Sequence, residues 1–203
     1  MNEPKLETRN LLSKAVFAVG IVAIAAIVGA VHFVQAATPT DSSSGYGTSS
    51  ATDVAAANTF ETALINQTNT FTDQVTALQQ QAESQLSSGG VTDFSSFDSQ
   101  YNDATSIYAS TVSQAFDTFR SQVMSFANTA VSKDQFIDEF NNAKANYLNS
   151  LQAAKNQLAD SLSKLSGNGN VVKDQFIDGF NNDSADYSNN LEQAKNDFAA
   201  VLG

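Results

Sequence analysis

From Phe136 to Leu162, apolar residues and alanines fall at positions 136, 140, 143, 147, 151, 154, 158 and 162, with polar side chains filling most of the gaps. Steps of four, three and four sum to eleven. That advance of about 3.67 residues per turn keeps a stripe nearly straight along an α-helix, and no β-strand has this period. A shift of forty residues reproduces the stripe at Phe176, Phe180, Asp183, Tyr187, Leu191, Ala194, Phe198 and Leu202, and 19 of the 32 positions from Val131 to Leu162 are identical in the second copy. Two earlier stretches follow the same ruler. One runs Phe60, Leu64, Gln67, Phe71, Val75, Leu78, Ala82 and Leu86, and the other Phe97, Tyr101, Ala104, Tyr108, Val112, Ala115, Phe119 and Val123. Self-similarity of this kind predicts one structural unit used repeatedly.

The duplicated segments "VSKDQFIDEFNN" and "VVKDQFIDGFNN" read as helix starts. Asp134 and Asp174 place negative charge near an electropositive N-terminus, and the following Phe opens the buried stripe. Ser132 with Gln135 has the capping-box spacing, which the later copy loses by carrying Val172. "SSGG" at Ser87–Gly90 and "SGNGN" at Ser166–Asn170 are stops. The junction near Ser132 has neither Gly nor Pro, and its Asn, Thr and capping Ser argue for a turn.

Single helices with narrow apolar stripes do not hold in water, and short connections make sequential helices antiparallel. The expected fold is therefore all-α: an antiparallel up-down-up-down four-helix bundle of hendecad-patterned repeats, with helices near 53–87, 93–130, 133–166 and 173–202. Gln67 and Asp183 interrupt the stripe, the first as a polar register marker and the second as a wet, frayed position. Gly179 replaces the Glu139 of the preceding copy and costs about 1 kcal/mol in helix propensity. The terminal helix is therefore expected to dock loosely. The stripe tyrosines Tyr101, Tyr108, Tyr147 and Tyr187 are expected in the core, their hydroxyls reaching Asn or Gln neighbours.

Ahead of the repeats stands a different kind of segment. Ala15 to Val34 is apolar except for His32 and long enough to cross a bilayer. Lys5, Arg9 and Lys14 precede it, and no further Lys or Arg occurs until Arg120, which places the N-terminus in the cytoplasm and the rest outside. "VQA" at 34–36 offers a signal-peptidase site, with cleavage after Ala36, whereas the length of the apolar run favours an uncleaved anchor. The expected organisation is a cytoplasmic n-region (1–14), a signal peptide or transmembrane helix (15–36), a Ser/Thr/Gly-rich linker (37–52) and an extracytoplasmic helical domain (53–203).

From Ala37 onward seven Lys or Arg face nineteen Asp or Glu, and nine acids but no base lie between Asp41 and Asp117. Such a surface repels nucleic acid. With no Cys anywhere and the sole His at position 32, the exported part lacks the residues of Ser-His, Cys-His and histidine metal sites. "DGFNNDSAD" at 178–186 has the wrong ligand spacing for an EF-hand. The Glu-x-x-His pattern of di-iron bundles is missing too. No catalytic, cofactor-binding or metal residue is nominated. The sequence leads to a non-enzymatic, exported or membrane-anchored bundle, a cell-surface structural or protein-interaction module. Its expected partners are the membrane through residues 15–34 if uncleaved and a surface protein. An amphipathic protein lying on lipid and an oligomeric coiled-coil stalk are the alternatives.

Overall fold

The computed structural model describes residues 51–129 and 132–202; the n-region, the apolar segment and the linker up to residue 50 lie outside the described residues. Four α-helices follow in order: α1 (Ala51–Ser88), α2 (Phe94–Ala127), α3 (Lys133–Leu162) and α4 (Gly169–Val201). At 1.5 Å per residue they are about 45–57 Å long. Residues 51 and 52, expected to close the linker, already belong to α1.

Local chemistry sets most of the ends. At the end of α1, Gly89 N–H bonds the Leu86 carbonyl at 3.0 Å, and Gly90 takes φ +88°, a left-handed angle that side chains disfavour. Asp93 caps α2, its carboxylate accepting from the amides of Ser95 and Ser96 at 3.1 Å each. Ser132 caps α3 by accepting from Gln135 N–H at 3.3 Å, so the turn expected between the second and third helices is present. The helix interiors are rich in threonine, and Thr59, Thr62, Thr70, Thr111 and Thr118 return their hydroxyls to the carbonyl four residues back. These bonds satisfy polar side chains without breaking the ladder.

The junction between α3 and α4 differs from the expected one. α3 stops at Leu162 rather than 166, and α4 begins at Gly169 rather than 173. Val172 explains the early start: it lacks a capping hydroxyl but is 1% exposed, so extending the helix backward one turn buries it. Asp174 consequently lies beyond the first turn of α4, which contains no acidic residue.

The helices pack as neighbours around a square, with α1 against α4 and α2 against α3 in the widest contacts, α3 against α4 in a narrower one, and α1 against α2 in the narrowest. Paired residues run in opposite senses along the chain. Phe60 meets Phe198 while Phe71 meets Tyr187, Arg120 meets Glu61 while Tyr101 meets Gln79, and Lys144 meets Glu192 while Lys173 meets Asp160. All eight stripe positions of α3 are buried. In α1 the buried series is Ala57, Phe60, Leu64, Thr68, Phe71, Val75, Gln79, Ala82 and Leu86, still an eleven-residue period. Thr68 and Gln79 thus replace the expected Gln67 and Leu78, which are half-buried. The stripe of α1 is turned because Leu78 packs toward α4 at Gly179. In α2, Phe116 is buried while Val112 and Ala115 are only half-buried, and in α4 Ser184 takes the inward place expected of Asp183, with Leu202 half-buried.

Gly179 corrects a further expectation. A methyl group there would come within 2.5 Å of Leu78 Cδ2, so the missing side chain makes room for the neighbouring helix instead of loosening α4. With Phe176, Phe180, Tyr187, Leu191 and Phe198 all buried, the last helix is fully docked. The added helix propensity in Gly179→Ala, about 1 kcal/mol, is therefore offset by displacement of Leu78 and emerges only after Leu78→Ala. A double-mutant cycle by urea denaturation should give a coupling of about 0.5–1 kcal/mol, whereas strict additivity would show that Gly179 is not a seat for Leu78.

Candidate functional site

The centre of the bundle is assembled from one repeat position. Phe71, Tyr108, Tyr147 and Tyr187 each lie eleven residues after the first Phe of their copy, and all four are buried. Antiparallel helices bring equivalent residues together only near their midpoints, which is where these stand. Phe71 stacks on Tyr187 at 4.7 Å and 7°, Phe119 stacks on Tyr147 at 5.0 Å and 11°, and the two tyrosine rings meet edge to face at 6.1 Å.

Their hydroxyls form a chain. Thr68 Oγ1 is 2.7 Å from the Tyr187 hydroxyl and 2.8 Å from the Leu64 carbonyl, and the Tyr187 and Tyr147 hydroxyls are 3.3 Å apart. An order in which Tyr147 donates to Tyr187, Tyr187 to Thr68 and Thr68 to Leu64 uses each proton once. The expected Asn and Gln partners are thus replaced by other hydroxyls and, for Tyr101, by the main-chain carbonyl of Gln79 at 2.5 Å. Burial pushes the Tyr187 phenol up to about 12 and Tyr147 well above its ordinary value. The chain is therefore neutral under ordinary conditions, a structural layer with no base in it.

A second repeat position carries the buried charges. Lys155, Lys195, Gln79 and Phe116 each lie nineteen residues after the first Phe of their copy, and each is at most 6% exposed. Lys155 Nζ donates to Asn181 Oδ1 at 3.0 Å and lies 5.8 Å from the Phe180 ring centroid. Lys195 Nζ donates to Glu192, whose other carboxylate oxygen accepts from Lys144 Nζ at 2.6 Å. Those two hydrogen bonds hold the Glu192 carboxyl below its usual range. Lys173 adds a bond to Asp160 at 2.5 Å. Together, Lys144, Lys155 and Lys173 tie α3 to α4.

The seam between α1 and α2 is built differently. Among the described residues its one ion pair is Arg120 with Glu61, Nε to Oε1 at 2.9 Å, near the start of α1. Toward the other end Gln79 occupies the lysine position, and its buried Nε2 has no hydrogen-bond partner. A cavity of about 20 Å³ adjoins it, lined by Thr72, Val75, Thr76, Gln79, Tyr108 and Val112 among others. That is the space of roughly one water molecule. Farther along, Glu83 of α1 lies within electrostatic reach of Asp98 of α2; burial first, and Asp98 second, push the Glu83 carboxyl up to about 7. Asp98 is itself raised by desolvation.

On the opposite side, between α2 and α3, an open groove of about 260 Å³ is lined by uncharged polar residues including Gln114, Thr118, Gln122, Asn146 and Ser150. The Phe119 and Tyr147 rings beneath it are only 1% and 2% exposed, so they offer no stacking platform to a ligand. A carboxyl shifted toward neutrality, as Glu83 is, suits proton transfer, but neither Glu83 nor Asp98 lines the small cavity beside Gln79. Among the described residues no three His, Cys, Asp or Glu stand together as metal ligands.

The stripe pattern places Phe71, Tyr108, Tyr147 and Tyr187 in the core, but it singles out none of Gln79, Lys155, Lys195, Glu83 or Asp98. The signal for the buried lysines was nonetheless legible: "AKN" recurs at 154–156 and 194–196, next to the apolar stripe, at the same repeat position. No such signal marked Gln79 or the Glu83–Asp98 approach, which depend on how two helices meet.

Comparison with protein-family models, with curated proteins and with solved structures finds no match.

Tyr187→Phe should cost about 1–3 kcal/mol by leaving the Tyr147 hydroxyl without its acceptor. Adding Thr68→Val should then cost less than Thr68→Val alone, since the pair acts as one chain. Urea titrations of the four proteins test this, and equal costs in both backgrounds would show that the hydroxyls are energetically independent.

Proposed function

We propose that this chain is a non-enzymatic, exported helical-bundle protein, tethered by its N-terminal apolar segment or released by cleavage after Ala36, that serves as a structural or protein-interaction module at the cell surface. The observation that carries the reading is the layout of the chain: a basic N-terminus, the apolar run Ala15–Val34, a Ser/Thr/Gly-rich linker and then an acidic domain. That apolar run lies outside the described residues. Within them, no helix is long and apolar enough to cross a membrane, which leaves the run as the segment suited to anchoring.

The four related stripes support construction from repeated hendecad units in an up-down-up-down arrangement. Equivalent residues at the midpoint fill one central layer, as expected when a single helical unit is multiplied within one chain. The acidic surface supports exposure to a solvent compartment over contact with nucleic acid.

Lipid association through the same stripes is the competing reading. Aromatic residues that would have to enter a membrane are committed to one another: Phe60, Phe136 and Phe198 form a closed cluster with centroids 4.8–5.6 Å apart. Opening that core would sacrifice its packing before any lipid was gained.

Expression of the full chain, followed by protease added outside intact cells and mass determination of the product, tests the proposal. Degradation of the bundle from outside supports it, with either an intact membrane-retained N-terminus or a product beginning at Ala37 separating the tethered from the released form. Recovery of the intact chain in a protease-inaccessible cytosolic fraction would overturn it.

A further inference from the structure

The buried position nineteen residues after the opening Phe is satisfied differently in the two sequential hairpins. In α3/α4 a lysine spans the seam, Lys155 of α3 donating to Asn181 of α4 at 3.0 Å. In α1/α2 the same position is Gln79, a shorter side chain that is 6% exposed and whose amide nitrogen has no hydrogen-bond partner in the protein. Across the seam, Tyr108 of α2 is in the same condition. Of the four tyrosines among the described residues, Tyr101, Tyr147 and Tyr187 are hydrogen-bonded through their hydroxyls, whereas the buried Tyr108 hydroxyl makes no such bond to the protein. Burial holds the Tyr108 phenol well above its ordinary value, so its proton stays on and needs an acceptor.

Both groups line the cavity of about 20 Å³ in this seam. The register of the two helices turns them toward it. Tyr101 donates to the Gln79 carbonyl, which sets α2 against α1, and Tyr108 stands two turns, about 10 Å, farther along α2, at a level on the N-terminal side of Gln79. Side chains lean toward the N-terminus of their own helix, so on antiparallel helices Gln79 and Tyr108 lean toward each other. Thr72 lines the cavity as well. Its hydroxyl donates to the Thr68 carbonyl at 2.8 Å and keeps its lone pairs free to accept.

We propose that this cavity is a binding site for one water molecule, held by Gln79, Tyr108 and Thr72, which closes the α1/α2 seam where a lysine closes α3/α4. The volume suits a single water. Its oxygen accepts from Gln79 Nε2 and from the Tyr108 hydroxyl, and one of its protons goes to Thr72 Oγ1, giving the three hydrogen bonds usual for a buried water. Two donors without acceptors are satisfied at once. A dry cavity would leave both unpaired, which costs more than immobilising one water. The water extends the reach of Gln79 by one hydrogen bond and ties α2 to α1 at the narrowest of the helix contacts.

The test uses the full chain in detergent micelles with isotope-labelled glutamine amides. Cross-relaxation between water and the Gln79 side-chain amide protons should have the sign of a contact that outlives molecular tumbling, and that of the exposed Gln80 should not. Relaxation dispersion of the water oxygen, which is blind to proton exchange, should lose one long-lived water in the double variant Gln79→Met, Tyr108→Phe, with helical circular dichroism unchanged. An equal count of long-lived waters in the two folded proteins would overturn the proposal. So would rapid exchange at Gln79 in the parent chain, a result that decides the matter even where the double variant does not fold. Xenon-induced shifts at Val75 and Val112 of the parent would likewise sink it, since they mark a dry apolar hole.

Discussion

The fold depends on the burial of aromatic rings between antiparallel helices. Of the fourteen phenylalanines and five tyrosines in the chain, twelve and four lie among the described residues, and with no tryptophan in the chain these stiff, flat side chains dominate the interior. Rings of this kind leave voids unless neighbouring ones stack or meet edge to face. The stacks of Phe60 on Phe198, Phe71 on Tyr187 and Phe119 on Tyr147 each join two helices and fix their longitudinal register. Much else in the structure accommodates those contacts. Thr68 supplies a hydroxyl where the Tyr187 ring ends, and Gly179 gives up its side chain where Leu78 must lie.

Repetition solves the packing problem economically but imposes near-equivalence on seams that then diverge. A residue at the midpoint of the unit meets its own counterparts, so an aromatic there is useful in every copy. A residue off the midpoint meets a different position of the reversed neighbour, and its value depends on that partner. Lysine at the nineteenth position after the opening Phe works in α3 because Asn181 of α4 accepts from it, and in α4 because Glu192, three residues earlier on the same helix and bonded across to Lys144, accepts from it. In α1 and α2 the position holds Gln79 and Phe116, and the seam between those helices has become the narrowest contact. Buried ionic groups contribute modest net stability.

Periodicity alone revealed much of this architecture. The eleven-residue spacing located four helices, and in α3 it identified every buried stripe position, because that helix carries its apolar residues without polar substitutes. It failed wherever polar and apolar residues compete for the inward face. Gln67 and Leu78 follow the ruler, yet Thr68 and Gln79 are the residues buried, since the rotation of α1 is set by its close contact with α4. The start of α4 was hidden for a related reason: Val172 resembles a lost cap in the sequence, whereas in the folded chain it is a core residue that draws the helix back to Gly169. The Glu83–Asp98 approach had no sequence signature, because two carboxylates on separate helices become neighbours only through the bundle itself.

The most direct test of the aromatic core is urea unfolding of the chain followed together by backbone circular dichroism and by the near-ultraviolet signal of its tyrosines. If the helices exist because their rings are locked between them, a strong near-ultraviolet signal will be present and both probes will report one transition with the same midpoint. Helical signal that persists after the tyrosine signal has vanished, or a weak tyrosine signal in the native protein, would contradict the account.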